Sequence, residues 1–150
     1  MRLFKRAPCA FFTDEEGRQI VAAIREAEQH SSGEIRVHLE ARCKAATPFE
    51  RARAVFARLN MHKTELRNGV LLYLAVEDHR FALFADQGIN QAVPSGYWDE
   101  VVADMQAAFR EARFAEGLAE GIRRIGQQLK TYFPRQDDDI NELSDDISYG

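Results

Sequence analysis

Asn68-Gly69-Val70-Leu71-Leu72-Tyr73-Leu74-Ala75-Val76 is the stretch whose reading decides the fold. The run from Val70 to Val76 is far shorter than the ~20 apolar residues of a membrane-spanning helix. It also lacks the period-two alternation of a strand with one wet face. It therefore predicts a central strand covered on both faces. Downstream, Glu77-Asp78-His79 forms a short polar turn and Phe81-Ala82-Leu83-Phe84-Ala85 follows, so the two runs pair as an antiparallel hairpin. Upstream, Ile35, Val37 and Leu39 alternate with Arg36, His38 and Glu40, the pattern of a strand with one buried face. Between that strand and the central one, Thr47-Pro48-Phe49-Glu50 reads as a helix cap with proline at the first helical position. Phe49, Ala52, Phe56 and Leu59 then mark the helix's apolar stripe. Two strands joined through such a helix lie parallel, with a right-handed crossover.

The flanks supply more helices. Thr13-Asp14-Glu15-Glu16 is a capping box, and Ile20, Ala23, Ile24 and Ala27 give a first helix from about Asp14 to Gln29, broken by Ser31-Ser32-Gly33. Beyond Gly88 and Pro94, Trp98, Val101, Val102, Met105 and Phe109 form one stripe, and Phe114, Leu118, Ile122, Ile125 and Leu129 another. Gly117 and Gly121, four apart, predict a close backbone approach within the core. The expected fold class is α/β: a three-layer α/β/α sandwich with a mixed sheet of three to four strands and helices on both faces.

The chain has 150 residues, 45% hydrophobic and 29% charged, which fits one globular domain able to bury a core without staples. Its net charge of -4 is unevenly placed. Asp137, Asp138, Asp139, Glu142, Asp145 and Asp146 leave residues 1–135 with 20 basic against 18 acidic side chains. The expectation is one domain over 1–135 and an acidic tail over 136–150, partly docked through Ile140, Leu143 and Ile147 or disordered. The core is expected to be complete without that tail. The balance argues against a nucleic-acid partner. Cys9 and Cys43 are expected as free thiols. Met1 to Arg6 resembles a secretory n-region, but Pro8, Cys9, Thr13 and Asp14 interrupt any apolar segment behind it. The chain reads as cytoplasmic, without a transmembrane segment. Arg2, Lys5 and Arg6, at ~1 kcal/mol each, give only marginal attraction to anionic lipid.

The sequence contains no GxxxxGK[ST], GxGxxG, GxSxG, HExxH or CxxC, and its histidines, His30, His38, His62 and His79, are widely spaced. The stretches Ser31-Ser32-Gly33-Glu34-Ile35-Arg36-Val37, Asn68 to Ala75 with Asp78, and Asp86-Gln87-Gly88-Ile89 follow the order and spacing of the TPM domain, which this chain resembles from about Phe11 to Ile147. Asp138 through Ile147 resembles the ending of the short, soluble bacterial members. The resemblance implies an α/β/α sandwich, divalent-cation binding in some members and a phosphatase label. The family favours glycine before the Asp of its Gly-Asp-x-Gly-Ile turn. Here Ala85 stands there, while Asp86 is retained.

Geometry sorts the carboxylates. An antiparallel hairpin places Asp78 and Asp86 about 25 Å apart, so they cannot share one ion. Parallel pairing brings Glu34 and Asn68 to the edge that holds Asp86, with Asp99 carried near by the following loop. Oxygen donors of this kind suit Ca2+ or Mg2+. Asp78 would belong to a second site at the hairpin end. Each residue also has a simpler role. Glu34 can pair with Arg36 or Arg67, Asp86 can cap the turn before Gly88, Asn68 can be a turn residue, and Asp99 can stabilise a helix N-terminus. Two functions stay open. One is an accessory or protein-interaction module whose cation orders loops read by an unidentified protein partner. The other is a metal-dependent phosphomonoesterase in which Arg67 helps to hold the phosphate. The absence of a nucleophile motif favours the first.

Overall fold

A computed structural model describes residues 11–135 and 146–150. Helix α1 (Asp14–Gln29) begins at the expected capping box: the Thr13 hydroxyl accepts from Glu16 N at 3.1 Å, and Thr13 N donates to Glu16 Oε1 at 2.9 Å. Strand β1 (Glu34–Glu40) follows, then α2 (Pro48–Arg58), capped by Thr47 and started by its proline. A single 3-10 turn (Met61–Lys63) leads into β2 (Gly69–Ala75), which the hairpin joins to β3 (Arg80–Ala85). The remaining elements are α3 (Gln87–Ala92), α4 (Tyr97–Arg110), α5 (Phe114–Tyr132) and a two-residue strand β4 (Ser148–Tyr149).

The sheet order is β3-β2-β1-β4. Strand β1 is parallel to β2, with Glu34 opposite Gly69, and β2 is antiparallel to β3, with Val70 opposite Ala85. Every residue of β2 is buried. Its Val70, Leu72 and Leu74 lie with Ile35, Val37 and Leu39 of β1 against α1 and α5, through Ile24, Ile122 and Leu129 among others. Its Leu71, Tyr73 and Ala75 face the opposite way, onto Val55 and Phe56 of α2 and onto Met61. Helices thus cover both faces, and the fold is the three-layer α/β sandwich that the central run requires. At Gly117 and Gly121, α5 meets α4 closely: an added Cβ would lie 2.9 Å from Ala108 Cβ and 2.5 Å from Met105 Sδ, respectively. No helix among the described residues is long and apolar enough to cross a membrane.

The structure differs from the sequence reading in three places. The alternating strand β1 is buried on both faces, because α2 and β4 cover His38 and Glu40 and the charges there are paired. The segment after Asp86 is a short helix rather than a turn. Asp86 caps it, and the Arg67 carbonyl accepts from Gly88 N and Ile89 N at its start. The C-terminal stretch contributes a strand: β4 pairs parallel to β1, with His38 opposite Ser148 and Leu39 opposite Tyr149. Ile147 packs on the core as expected. Ile140, Leu143 and most of the tail acids, like Cys9 and the basic start, lie outside the described residues.

Because β4 closes the sheet over two ionisable side chains, deleting residues 146–150 should lower stability by about 1–3 kcal/mol while leaving the helical signal intact. Urea denaturation followed by circular dichroism checks this. An unchanged midpoint would make β4 dispensable.

Candidate functional site

At the N-terminal end of the parallel strands, three neighbouring strand ends align. Glu34 N donates to the Asn68 carbonyl at 3.4 Å, and Asp86 N donates to the Gly69 carbonyl at 2.9 Å. Glu34, Asn68 and Asp86 are all buried there. The loop that delivers Asn68 is held by an ion pair. Arg67 Nε lies 2.7 Å from Asp86 Oδ2, and Nη2 lies 2.9 Å from Oδ1, a two-pronged contact that uses both carboxylate oxygens. Asp86 Oδ1 also accepts from Gln87 N at 2.8 Å, so one side chain caps α3 and anchors the preceding loop.

Arg67 is in the left-handed region at φ 53°, sparsely populated for a residue with a Cβ. The Asp86 pair and the two N–H groups on its carbonyl hold it there. Gly88 is required by closeness: a Cβ would overlap the Leu66 carbonyl oxygen and sit 2.6 Å from that of Arg67. The Asn68 Nδ2 is buried without a hydrogen-bond partner among the described residues, and turning the amide over exchanges this donor for an oxygen.

The structure brings Glu34, Asn68 and Asp86 to one edge. Asp99 stands in the first turn of α4, where it lines a cleft with Asn90, Trp98 and Ala85, the residue before Asp86. Among the described residues, no hydrogen bond or ion pair joins Asp99 to the other three. Arg67 pairs with Asp86, not with Glu34. Asp78 lies across the hairpin, where its Oδ2 accepts from Cys43 N at 2.6 Å and its Oδ1 is 3.9 Å from Arg42 Nη1. Among the described residues no group of three or more His, Cys, Asp or Glu side chains gathers at one point. The oxygen-rich edge therefore consists of two carboxylates, an amide and backbone carbonyls.

A second polar cluster was invisible to motif reading. On the α2 face of β1, Glu40 Oε2 accepts from Tyr73 Oη at 2.9 Å, and Arg51 Nε lies 3.0 Å from Oε1. His38 Nε2 is 3.2 Å from Glu40 Oε1, and its Nδ1 is 2.9 Å from Ser148 Oγ. Burial would raise the Glu40 pKa, but the hydrogen bonds from Arg51, Tyr73 and His38 outweigh it and hold the carboxyl at about 2. Burial lowers the His38 pKa, with the Glu40 contact opposing it, and burial followed by the Glu40 contact raises that of Tyr73. The Ser-His-Glu order invites comparison with a nucleophile triad. His38, Glu40 and Ser148 are all buried, however, leaving no substrate access, and Glu40 is also held by Arg51 and Tyr73, so the arrangement clasps β4 onto β1. The sequence signal was Tyr73, the one polar-tipped residue in the central run, opposite His38 in register.

The profile of the TPM domain matches residues 7–128. No curated protein matches the chain. Among solved structures, the BA42 protein of the psychrophilic bacterium Bizionia argentinensis is 47% identical, with a TM-score of 0.86, and the match covers 93% of this chain and 96% of that one. The N-terminal domain of a P. gingivalis protein is 22% identical over 81% of this chain and 78% of its own, with a TM-score of 0.66. The N-terminal domain of cg2496 protein from Corynebacterium glutamicum is 12% identical over 95% and 91%, with a TM-score of 0.64. These last two share the fold.

The Glu40 cluster makes stability depend on pH. The folded state resists protonating Glu40 between its ordinary 4.5 and about 2, so stability present above 4.5 is lost as pH falls through that window. His38, whose folded pKa is depressed below 6.5, adds a loss of the same sign as pH falls below 6.5. Glu40→Gln should cost about 3 kcal/mol at pH 7 by leaving Arg51 uncompensated. It should also flatten the acid limb of a urea-midpoint profile, while the limb near pH 6 survives.

Proposed function

The chain belongs to the TPM domain family, and from that premise we propose that it is a binding module whose strand-end loops take a divalent cation, Ca2+ or Mg2+, through Glu34, Asn68 and Asp86. The observation that carries the reading is the alignment of these three oxygen-bearing side chains on adjoining strand ends, two of them carboxylates and all buried. Hard cations favour such donors over imidazole or thiolate. The Asn68 amide, with an orphaned donor, fits the same chemistry. Asp99 and Asp78 stand outside this set.

In the described arrangement Arg67 neutralises Asp86, so guanidinium and cation compete for one carboxylate. Glu34 and Asn68 supply the remaining side-chain oxygens, and the loop from Thr64 to Asn68 is the part that such an exchange would reorder. A bound ion would supply positive charge at the strand ends. The loops it orders are the surface that a protein partner would read.

The phosphomonoesterase reading is favoured by one feature, the Arg67 guanidinium, whose side chain is 41% exposed at this same edge. A cation that took Asp86 would leave that guanidinium free to hold a phosphate oxygen.

Titration of the protein with Ca2+ and Mg2+, followed by amide NMR, should show saturable shifts centred on residues 34, 64–69 and 86–88. Asp86→Ala should abolish them and Asp78→Ala should leave them. Arg67→Gln should tighten binding by removing the competitor. A wild type without saturable shifts, or the inverse response of the two aspartates, would overturn the site. Cation-dependent hydrolysis of p-nitrophenyl phosphate that Arg67→Gln abolishes would instead favour the enzyme.

A further inference from the structure

The two edges of the sheet are unlike. At one, β4 is only two residues long. At the other, β3 runs for six residues, Arg80–Ala85, and among the described residues it has a sheet neighbour on one side only. Its register with β2 is continuous from Arg80 to Ala85, so no bulge twists the edge away. It contains no proline or lysine, and its one charge stands at its first residue. A bulge, a proline and a lysine, three devices that blunt an open edge, are thus absent from β3, while α2 and α4 flank the edge without adding a strand to it.

The hydrogen-bond phase identifies the groups that face outward. Asp86 N bonds to the Gly69 carbonyl, and antiparallel ladders repeat that bonding at every second residue. Arg80, Ala82 and Phe84 accordingly bond to β2, whereas Phe81, Leu83 and Ala85 turn their N–H and C=O groups to the open side. These residues border a cleft of 370 Å3, walled by Pro48 and Phe49 on one flank and by Trp98 and Val102 on the other. The Phe49 ring is 52% exposed and lies 5.5 Å from that of Phe84, a large apolar surface left in water. Among the described residues Asp99 is the only charged side chain lining the cleft, and it has no ion-pair partner there.

We propose that the β3 edge binds an extended peptide segment of another protein as an added strand, one apolar on alternate residues and carrying a Lys or Arg opposite Asp99. Main-chain bonds to residues 81, 83 and 85 would supply affinity. The flanking aromatic walls and Asp99 would supply selectivity. The charge of the cleft selects a basic segment. Its recessed floor selects a single strand over a second copy of this chain, whose own β3 is walled in by the same helices. The proposal extends the reading of the protein as a binding module by naming the surface and the partner class. It needs no cation, so the two are tested separately.

The probe is a blocked heptapeptide alternating Val with Thr and ending in Lys, titrated into the full chain in the presence of EDTA. Saturable amide shifts should centre on residues 80–85 and 97–102, and the amides of Phe81, Leu83 and Ala85 should become slower to exchange. Phe49→Ala and Asp99→Asn, both at exposed positions that leave the fold intact, should each weaken binding, the latter about fivefold. Replacing the peptide's Lys by Glu should weaken it at least as much. Two further peptides, N-methylated on alternate sets of amides, should differ at least tenfold, because only one set faces β3. Equal binding of these two, shifts centred elsewhere, or no saturation at millimolar peptide would overturn the proposal. So would a protein that dimerises alone with the same amides protected, since the edge would then belong to a second copy.

Discussion

The two-sided burial of β2 is the constraint on which the rest of the structure depends. Seven consecutive residues are withdrawn from water, and a strand so placed needs a sheet neighbour on each side and a helical layer on each face. The hairpin to β3 satisfies one side locally. The other side is taken by β1, and since β1 is parallel, the chain between them must cross the sheet. It does so as α2, which covers the Leu71, Tyr73 and Ala75 face, while α1 and α5 cover the Val70, Leu72 and Leu74 face. The five neighbours of the central strand thus follow from one apolar run.

Covering both faces has a consequence for β1, whose alternate residues are polar. Glu40 and His38 are drawn out of water together with β2, and an isolated charge in such a place would be costly. Arg51 from α2, Tyr73 from β2 and Ser148 from β4 converge to satisfy them. The cluster therefore ties together four elements, β1, α2, β2 and β4. It is best understood as the polar seam of the fold: its hydrogen bonds are complete, and His38, Glu40 and Ser148 are closed off from water.

The strand ends and the open edge are different in kind. Arg67 and Asp86 form a pair with one member half-exposed, on a loop whose backbone is held in an uncommon conformation by that pair and by the start of α3. This is a place where an ion could be exchanged for a guanidinium at modest structural expense, in contrast to the Glu40 seam. The β3 edge is apolar, continuous and flanked by aromatic walls. A short distance along β3 separates these two features, since Asp86 directly follows its last residue. Membership of the TPM domain family, supported by a 47% identical protein that covers nearly the whole chain, gives the fold and the frame within which both readings sit.

Much of this was legible in the order of residues. The capping box of α1, the Thr47 cap of α2, the apolar run and the hairpin depend on contacts within a few positions along the chain, so local chemistry determines them. The grouping of Glu34, Asn68 and Asp86 followed from strand polarity alone, because direction decides which ends share an edge. What the sequence could not express is which distant partner satisfies each buried polar group. Asp86 had several candidate roles. Only the fold put Arg67 within 2.9 Å of both its oxygens, and only the fold set Asp99 on the wall of a cleft beside β3. The period-two pattern of β1 likewise implied a wet face. The tertiary structure reversed that, because α2 and the last residues of the chain close over it and replace water with Arg51, Tyr73 and Ser148. Periodicity records which residues are apolar, whereas burial of the polar ones depends on hydrogen-bond partners that meet only when the chain has folded.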